Sequence, residues 1–192
     1  MIVKMKKALT LALMFALTVG AMAQEVKKYD IKSGIVKSVT TMMGQKTEAV
    51  QYFDNFGAIE TSKTKMNIPG AGEVEIATIS KDGKNYVVNY TSKQVQEVPA
   101  QASINYLALD DETIAQYKIK EIGKETVAEK ECIKYSEQIS QMGQTFDATV
   151  CVWKGVPMKS VIKAGGMEIV TEVTEITENA FILPQTFEVP TF

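Results

Sequence analysis

The chain contains no histidine and no arginine; all 21 of its basic residues are lysine. Without histidine, the commonest routes to general-base catalysis, metal ligation and a charge switch near neutral pH are closed. Without arginine, there is no planar fork to grip phosphate or carboxylate at two points. The lysines face 23 acidic residues, a formal charge of −2. Nucleic acid is excluded as a partner, and anionic membrane surfaces are poorly matched. The serine-hydrolase elbow, the phosphate-binding loop and the dinucleotide glycine fingerprint are also missing. Ser-x-x-Lys occurs twice, at Ser62–Lys65 and Ser160–Lys163. Both fall in runs that read as strands, where residues three apart point to opposite faces. Acidic residues scatter as a solvated face would, with no carboxylate pair set for a shared pocket. No cofactor is called, and an enzyme built on lysine, serine or carboxylate ranks third among the readings.

Long apolar runs are scarce too. The longest, Ala8 to Val19, follows Lys4, Lys6 and Lys7 and leads to Ala21-Met22-Ala23. It falls short of the roughly 20 residues a spanning helix needs. A basic start, a short apolar stretch and a small-x-small site read as a secretory signal over residues 1–23. A bacterial lipoprotein would place cysteine after that site; Gln24 stands there. The expectation is a soluble exported or periplasmic protein, not a lipoprotein, with no transmembrane segment after cleavage. Residues 24–192 are then 169 in number with a formal charge of −5, since three lysines leave with the signal. That is enough chain for one domain with a real core.

What is present is mostly β. Tyr29 to Met43, Thr47 to Phe53, Ala58 to Met66 and Glu73 to Ile79 are rich in branched and aromatic residues. Turn residues separate them: Asp54-Asn-Phe-Gly57, Pro69-Gly70 and Lys81-Asp-Gly-Lys84, the last a strong hairpin signal. Tyr86, Val88 and Tyr90 share the next face. Strands resume at Ile119 to Ile122, Glu131 to Ile139, Thr145 to Trp153 and Met158 to Lys163. Ile169 to Thr177 is ambiguous, because Val170, Val173 and Ile176 recur every three residues. Its β-branched content decides for a strand, bulged near Thr171. Helical spacing is confined to Ala102–Lys118, as one helix or two, with Asp110, Asp111 and Glu112 at a helix start. The tail Leu183 to Pro190 carries two prolines and cannot be a central strand.

The only cysteines, Cys132 and Cys151, fall in consecutive strands. With Ser140-Gln-Met-Gly143 as the loop, the two lie directly opposite, with Cβ atoms about 4.5–5.5 Å apart. Export makes a disulfide the preferred reading. Two buried free thiols remain an alternative, and a reactive pair is a third.

Gly123-Lys-Glu-Thr-Val-Ala-Glu-Lys-Glu-Cys-Ile-Lys-Tyr135, Val152-Trp-Lys-Gly-Val-Pro-Met-Lys-Ser160, Gly166-Met167, Thr171-Glu-Val-Thr-Glu-Ile176 and Phe187-Glu-Val-Pro190 carry a resemblance. Over about residues 102–190 the chain resembles the DUF4412-type group of exported bacterial proteins, common in Bacteroides and relatives. That group is similar to the LolA/LolB lipoprotein-carrier superfamily. The resemblance implies an α+β, mostly β fold: a LolA-like open antiparallel half-barrel wrapping one or two mid-chain helices. It also implies an apolar concavity for an acyl chain, with Tyr86, Tyr90, Trp153, Met158 and Met167 as lining residues by analogy. The carriers hold an arginine in their cavity, and this chain has none to supply. The leading expectation is therefore a non-enzymatic exported protein binding a lipid or other apolar ligand. The alternative is a cell-envelope interaction module with a closed core and a protein partner.

Overall fold

The computed structural model describes residues 27–68, 72–100, 103–141 and 144–192. The expected signal peptide, the Pro69-Gly70 turn, Ala102 and Met142-Gly143 lie outside them. Eleven strands form one sheet: β1 (Gly34–Met42), β2 (Gln45–Asp54), β3 (Ile59–Ile68), β4 (Gly72–Lys81), β5 (Lys84–Asn89), β6 (Gln94–Val98), β7 (Lys120–Val127), β8 (Lys130–Gln141), β9 (Gln144–Trp153), β10 (Val156–Ala164) and β11 (Met167–Glu178). The order is β6-β5-β4-β3-β2-β1-β11-β10-β9-β8-β7, antiparallel throughout. Two meanders, β1–β6 and β7–β11, therefore meet where the first strand pairs with the last. The sheet is open, with β6 and β7 at its edges. The mostly β, open antiparallel expectation holds at this level.

Several local readings need correction. The only α-helix among the described residues, α1 (Asp111–Tyr117), has seven residues and buries none of them. Asp110 caps it by accepting from the Thr113 amide at 2.7 Å, and Lys118 ends it in the left-handed region. Two turns offer too little apolar surface to sit inside a sheet, and Ile114 is 37% exposed. Ile104 to Leu107 is not helical, so the sheet does not wrap these segments as helices. Strand β1 begins at Gly34, not at Tyr29. The polar, exposed β6 had no signal in the alternation of apolar residues.

The bulge in β11 lies at Thr174, where the β1 register steps from Lys37↔Glu175 to Ser38↔Val173. One extra residue puts Val173 and Ile176 on the same face although they are three apart. Val170, before the bulge, lies on the opposite face, so the helix-like period is met on one face only by Val173 and Ile176. The β4–β5 hairpin has Lys81 facing Lys84, with Asp82 and Gly83 both at positive φ (53° and 73°). This is the backbone that an Asp-Gly turn favours.

Alternation divides the sheet into two faces. One carries Lys37, Lys46, Lys63, Lys65, Lys134, Lys159 and Lys163 in register with one another and with acids. We call it the lysine face. Glu125 there meets Lys159 at 2.8 Å and Lys134 at 3.1 Å, and Lys159 also meets Glu172 at 3.2 Å. The lysine hydrogen bonds, Lys159 first, hold the Glu125 carboxyl below its ordinary range. The opposite, core face reads as strict alternation in β10, where Val156, Met158, Ser160, Ile162 and Ala164 are all buried.

One end of the core face is closed by the segment before β1. The amides of Lys28 and Tyr29 donate to the Phe56 carbonyl, Asp30 donates to Lys154, and Asn179 donates to Ser33. Tyr29, fully buried, packs on Phe53 at 4.6 Å between centroids, beside Ile31, Val36, Met158 and Val173. Gly155 is needed for this passage: a Cβ there would strike the Lys28 carbonyl, and its φ is +82°. Lys28 and Glu60 pair at 2.7 Å in this anchored end, with Gln51 donating to Glu60 and to Tyr29.

Candidate functional site at the far end of the sheet

The opposite end of the core face is built differently. Strand pairing sets Met42 beside Ile169, Ile169 beside Ile162, Ile162 beside Ala148, and Ala148 beside Glu137. This is one continuous row across β1, β11, β10, β9 and β8. Toward the turns it is flanked by two further pairs, Met167 with Ala164 and Ile139 with Phe146. Ala148, Ile162 and Ile169 are buried; Met42, Ile139 and Phe146 pack against them half-buried. On the anchored side runs a row of hydroxyls and small groups: Thr40, Thr171, Ser160, Val150 and Tyr135. Thr40 and Thr171 hydrogen-bond at 2.9 Å. The apolar floor is thus bounded by hydroxyls on one side and by half-exposed side chains on the other.

Glu137 is the one charged side chain in these rows. It is 8% exposed. Tyr106, from the segment that crosses between the two meanders, donates its hydroxyl to Glu137 Oε2 at 2.6 Å. Its ring stacks on Tyr135 at 5.6 Å. Burial raises the Glu137 carboxyl above its ordinary range, and the Tyr106 hydrogen bond pulls partly against that rise. Burial, reinforced by the nearby Glu137 charge, pushes the Tyr106 phenol well up. Tyr106 therefore stays a donor, and among the described residues no ion pair is formed by this acid at the end of an apolar row.

The residues expected to line a ligand site do not gather there as a set. Met158 lies buried in the anchored-end cluster, and Trp153 packs against that cluster. The ammonium groups of Lys130 and Lys154 lie 4.7 Å from the Trp153 ring centroid. Tyr86 and Tyr90 pack with Ala77, Ile79, Val88 and Val189, and Phe192 meets Tyr90 edge-on. The strand register puts Tyr86, Ala77, Ile79 and Val88 on the lysine face. Only Met167 reaches the far end. Met42 and Phe146 were visible in the sequence as a methionine and an aromatic, without their partners. Ile162, Ile169, Ala148 and Glu137 were missed. Alternation in β9 and β10 could have shown their common face, but not the row they complete with β1 and β8.

Cys132 and Cys151 are joined in a disulfide with a Cα–Cα distance of 5.4 Å. They are not directly opposite, as the sequence count had them. Residue Gln141 faces Gln144, and Cys151 faces Lys134, two residues from Cys132. The connection is two residues shorter than expected, and an even shift leaves every side chain on its face. The bridge therefore crosses the pair diagonally. Ser160 is buried and Lys163 exposed, on opposite faces of β10, so that Ser-x-x-Lys pair does not meet.

No protein-family model matches the chain, and no curated protein matches it. Solved structures do match. An uncharacterized conserved protein from Thermus thermophilus superposes with a TM-score of 0.58 at 14% identity, over 86% of this chain and 90% of that one. MucB in the Pseudomonas aeruginosa MucA/MucB complex gives a TM-score of 0.53 at 14% identity. That match covers 86% of this chain and 58% of the other. This chain shares its fold with part of MucB. At such identity the likeness is one of fold, and function has to be argued from the site.

Proposed function

We propose that this is an exported, non-enzymatic protein that binds the alkyl chain of a lipid or a similar apolar ligand on the far-end floor. The observation that carries the reading is the row Met42, Ile169, Ile162, Ala148, flanked by Met167, Ala164, Phe146 and Ile139. The apolar row spans four strands, about 14 Å at ordinary strand spacing, enough for an extended acyl chain of medium length. Each methylene moved from water to such a floor contributes about 0.8 kcal/mol. Half-buried methionines at the rim adapt to irregular apolar shapes. The signal-like residues 1–23 and Gln24 after the cleavage site support a soluble periplasmic or exported location, with residues 24–192 as a single domain. The sequence resemblance to the DUF4412-type group and to LolA-like carriers is in keeping with this reading. The described residues contain no helix long and apolar enough to cross a membrane.

A second reading, an envelope interaction module, has its own support. The open edge strand β7 is exposed over most of its length, with Ile122 50% exposed at a register shift. MucB, which shares the fold, was solved in complex with MucA. An edge strand of this kind offers main-chain donors and acceptors to a partner's strand.

The deciding experiment is mass spectrometry of an organic extract of the mature protein, purified without detergent and compared with a similarly purified control protein. A stoichiometric acyl lipid is expected. It should be lost in Ala148→Trp, which fills the floor between Ile162 and Glu137. An empty extract, with no mass shift in native spectra on adding phospholipid or fatty acid, would overturn the lipid reading in favour of the interaction module.

A further inference from the structure

We infer that Glu137 selects the ligand's head group: the site takes a single-chain amphiphile whose head donates hydrogen bonds and carries no negative charge. This rests on the apolar reading of the far end and deepens it. The floor ends at Glu137 on β8, directly beside Ala148, in the same row as Ile162 and Ile169. A chain lying along that row brings its head to this carboxyl. The carboxyl's hydrogen-bonding partner is a hydroxyl, Tyr106, which supplies no positive charge. Lys37 of β1 and Lys159 of β10 project from the other face, where they pair with Glu175, Glu125 and Glu172. At the anchored end Lys28 pairs with Glu60, and Lys130 and Lys154 with Glu178. An anionic head arriving at Glu137 would thus meet a like charge in a poorly solvated place, with no cation paired to it among the described residues. A hydroxyl or an ammonium would find an acceptor there. Glu137 Oε2 already accepts the Tyr106 hydrogen bond, which fixes the carboxyl's direction and leaves Oε1 as the acceptor for the head.

The test uses three ligands with the same twelve-carbon chain: 1-dodecanoylglycerol, dodecylamine and dodecanoate. Their affinities for the mature protein are measured by titration calorimetry below the concentrations at which they aggregate. The glycerol ester and the amine are expected to bind about tenfold or more tightly than dodecanoate, the scale of one unrelieved like-charge contact. Glu137→Gln keeps the shape and an acceptor for Tyr106 but removes the charge. It should raise dodecanoate affinity until the preference disappears, while the glycerol ester binds much as before. Glu137→Leu, which fills the same space without a polar group, is the second variant should the first fail to fold; it too should abolish the preference. Equal binding of all three ligands by the natural protein, or an unchanged preference in the variants, would overturn the role of Glu137 and leave the apolar floor standing. Binding of none of the three would remove the floor reading and this inference with it.

Discussion

Glu137 shows how one side chain can be costly to the fold and useful to the site. Burial beside Ala148 on the core face disfavours its charged form. Its folded-state pKa is raised, so the stability it contributes is complete below the unfolded value of about 4.3 and is lost as pH rises through the folded value. Glu125, on the lysine face, behaves oppositely. Its lowered pKa gives stability that is present above the unfolded value and lost on acidification. Glu137→Gln is therefore expected to raise the urea midpoint relative to the natural protein at about pH 7.5, with the gap closing near pH 4. A variant less stable than the natural protein at the higher pH would contradict this account. Such residues, which lower stability where ligand chemistry needs them, are common at binding sites. Nothing in the local sequence Tyr135-Ser-Glu-Gln-Ile139 marks Glu137 as buried; the other buried acid among the described residues, Glu60, is paired with Lys28.

At the scale of elements, the β8–β9 hairpin carries most of the information. Its strands are identified without a structure by their branched and aromatic residues, although Val150, Cys151 and Val152 are buried in succession. Its register does not follow from alternation, since any even shift preserves the faces. The observed register makes the Cys132–Cys151 bridge diagonal, and both cysteines are buried in the anchored-end cluster. The bridge ties residues separated by 19 positions. In the chain-entropy view a loop of that size contributes on the order of 3 kcal/mol. Replacing both cysteines by alanine is expected to lower unfolding free energy by about 2–4 kcal/mol, read from denaturant melts. Thiol counting on the denatured, unreduced natural protein should give none; two reactive thiols would dismiss the bridge. Element β11 teaches a related lesson. Its three-residue recurrence imitates a helix, and only pairing with β1 reveals the bulge at Thr174 that puts Val173 and Ile176 on one face. Helix α1 fails to reach the core because Asp110 and Lys118 stop it after seven residues.

Over the whole molecule, the decisive contact is between β1 and β11, the first and last strands in sequence. It joins two meanders whose other pairings are all between neighbours along the chain. The far-end row exists only because of it: Met42 comes from one meander, and Ile169, Ile162 and Ala148 from the other. Long-range pairing of this kind must overcome loop-closure entropy before it is rewarded. Native-state hydrogen exchange should place β1 and β11 amides in the most protected class, opening only with global unfolding, while amides of the edges β6 and β7 exchange first. Exchange from the β1–β11 seam at edge-strand rates would show instead that the meanders open independently.

Sequence by itself determined the β class, most strand positions and the Asp-Gly hairpin. These follow from side-chain alternation with period two and from turn chemistry, which act within a few residues. The tertiary structure alone decided the β1–β11 seam, the Thr174 bulge, the closure of one end by residues 27–33, and the placement of Glu137 at the end of an apolar row. Each of these depends on strands far apart in the chain finding a particular register, and no short stretch of sequence contains that energy.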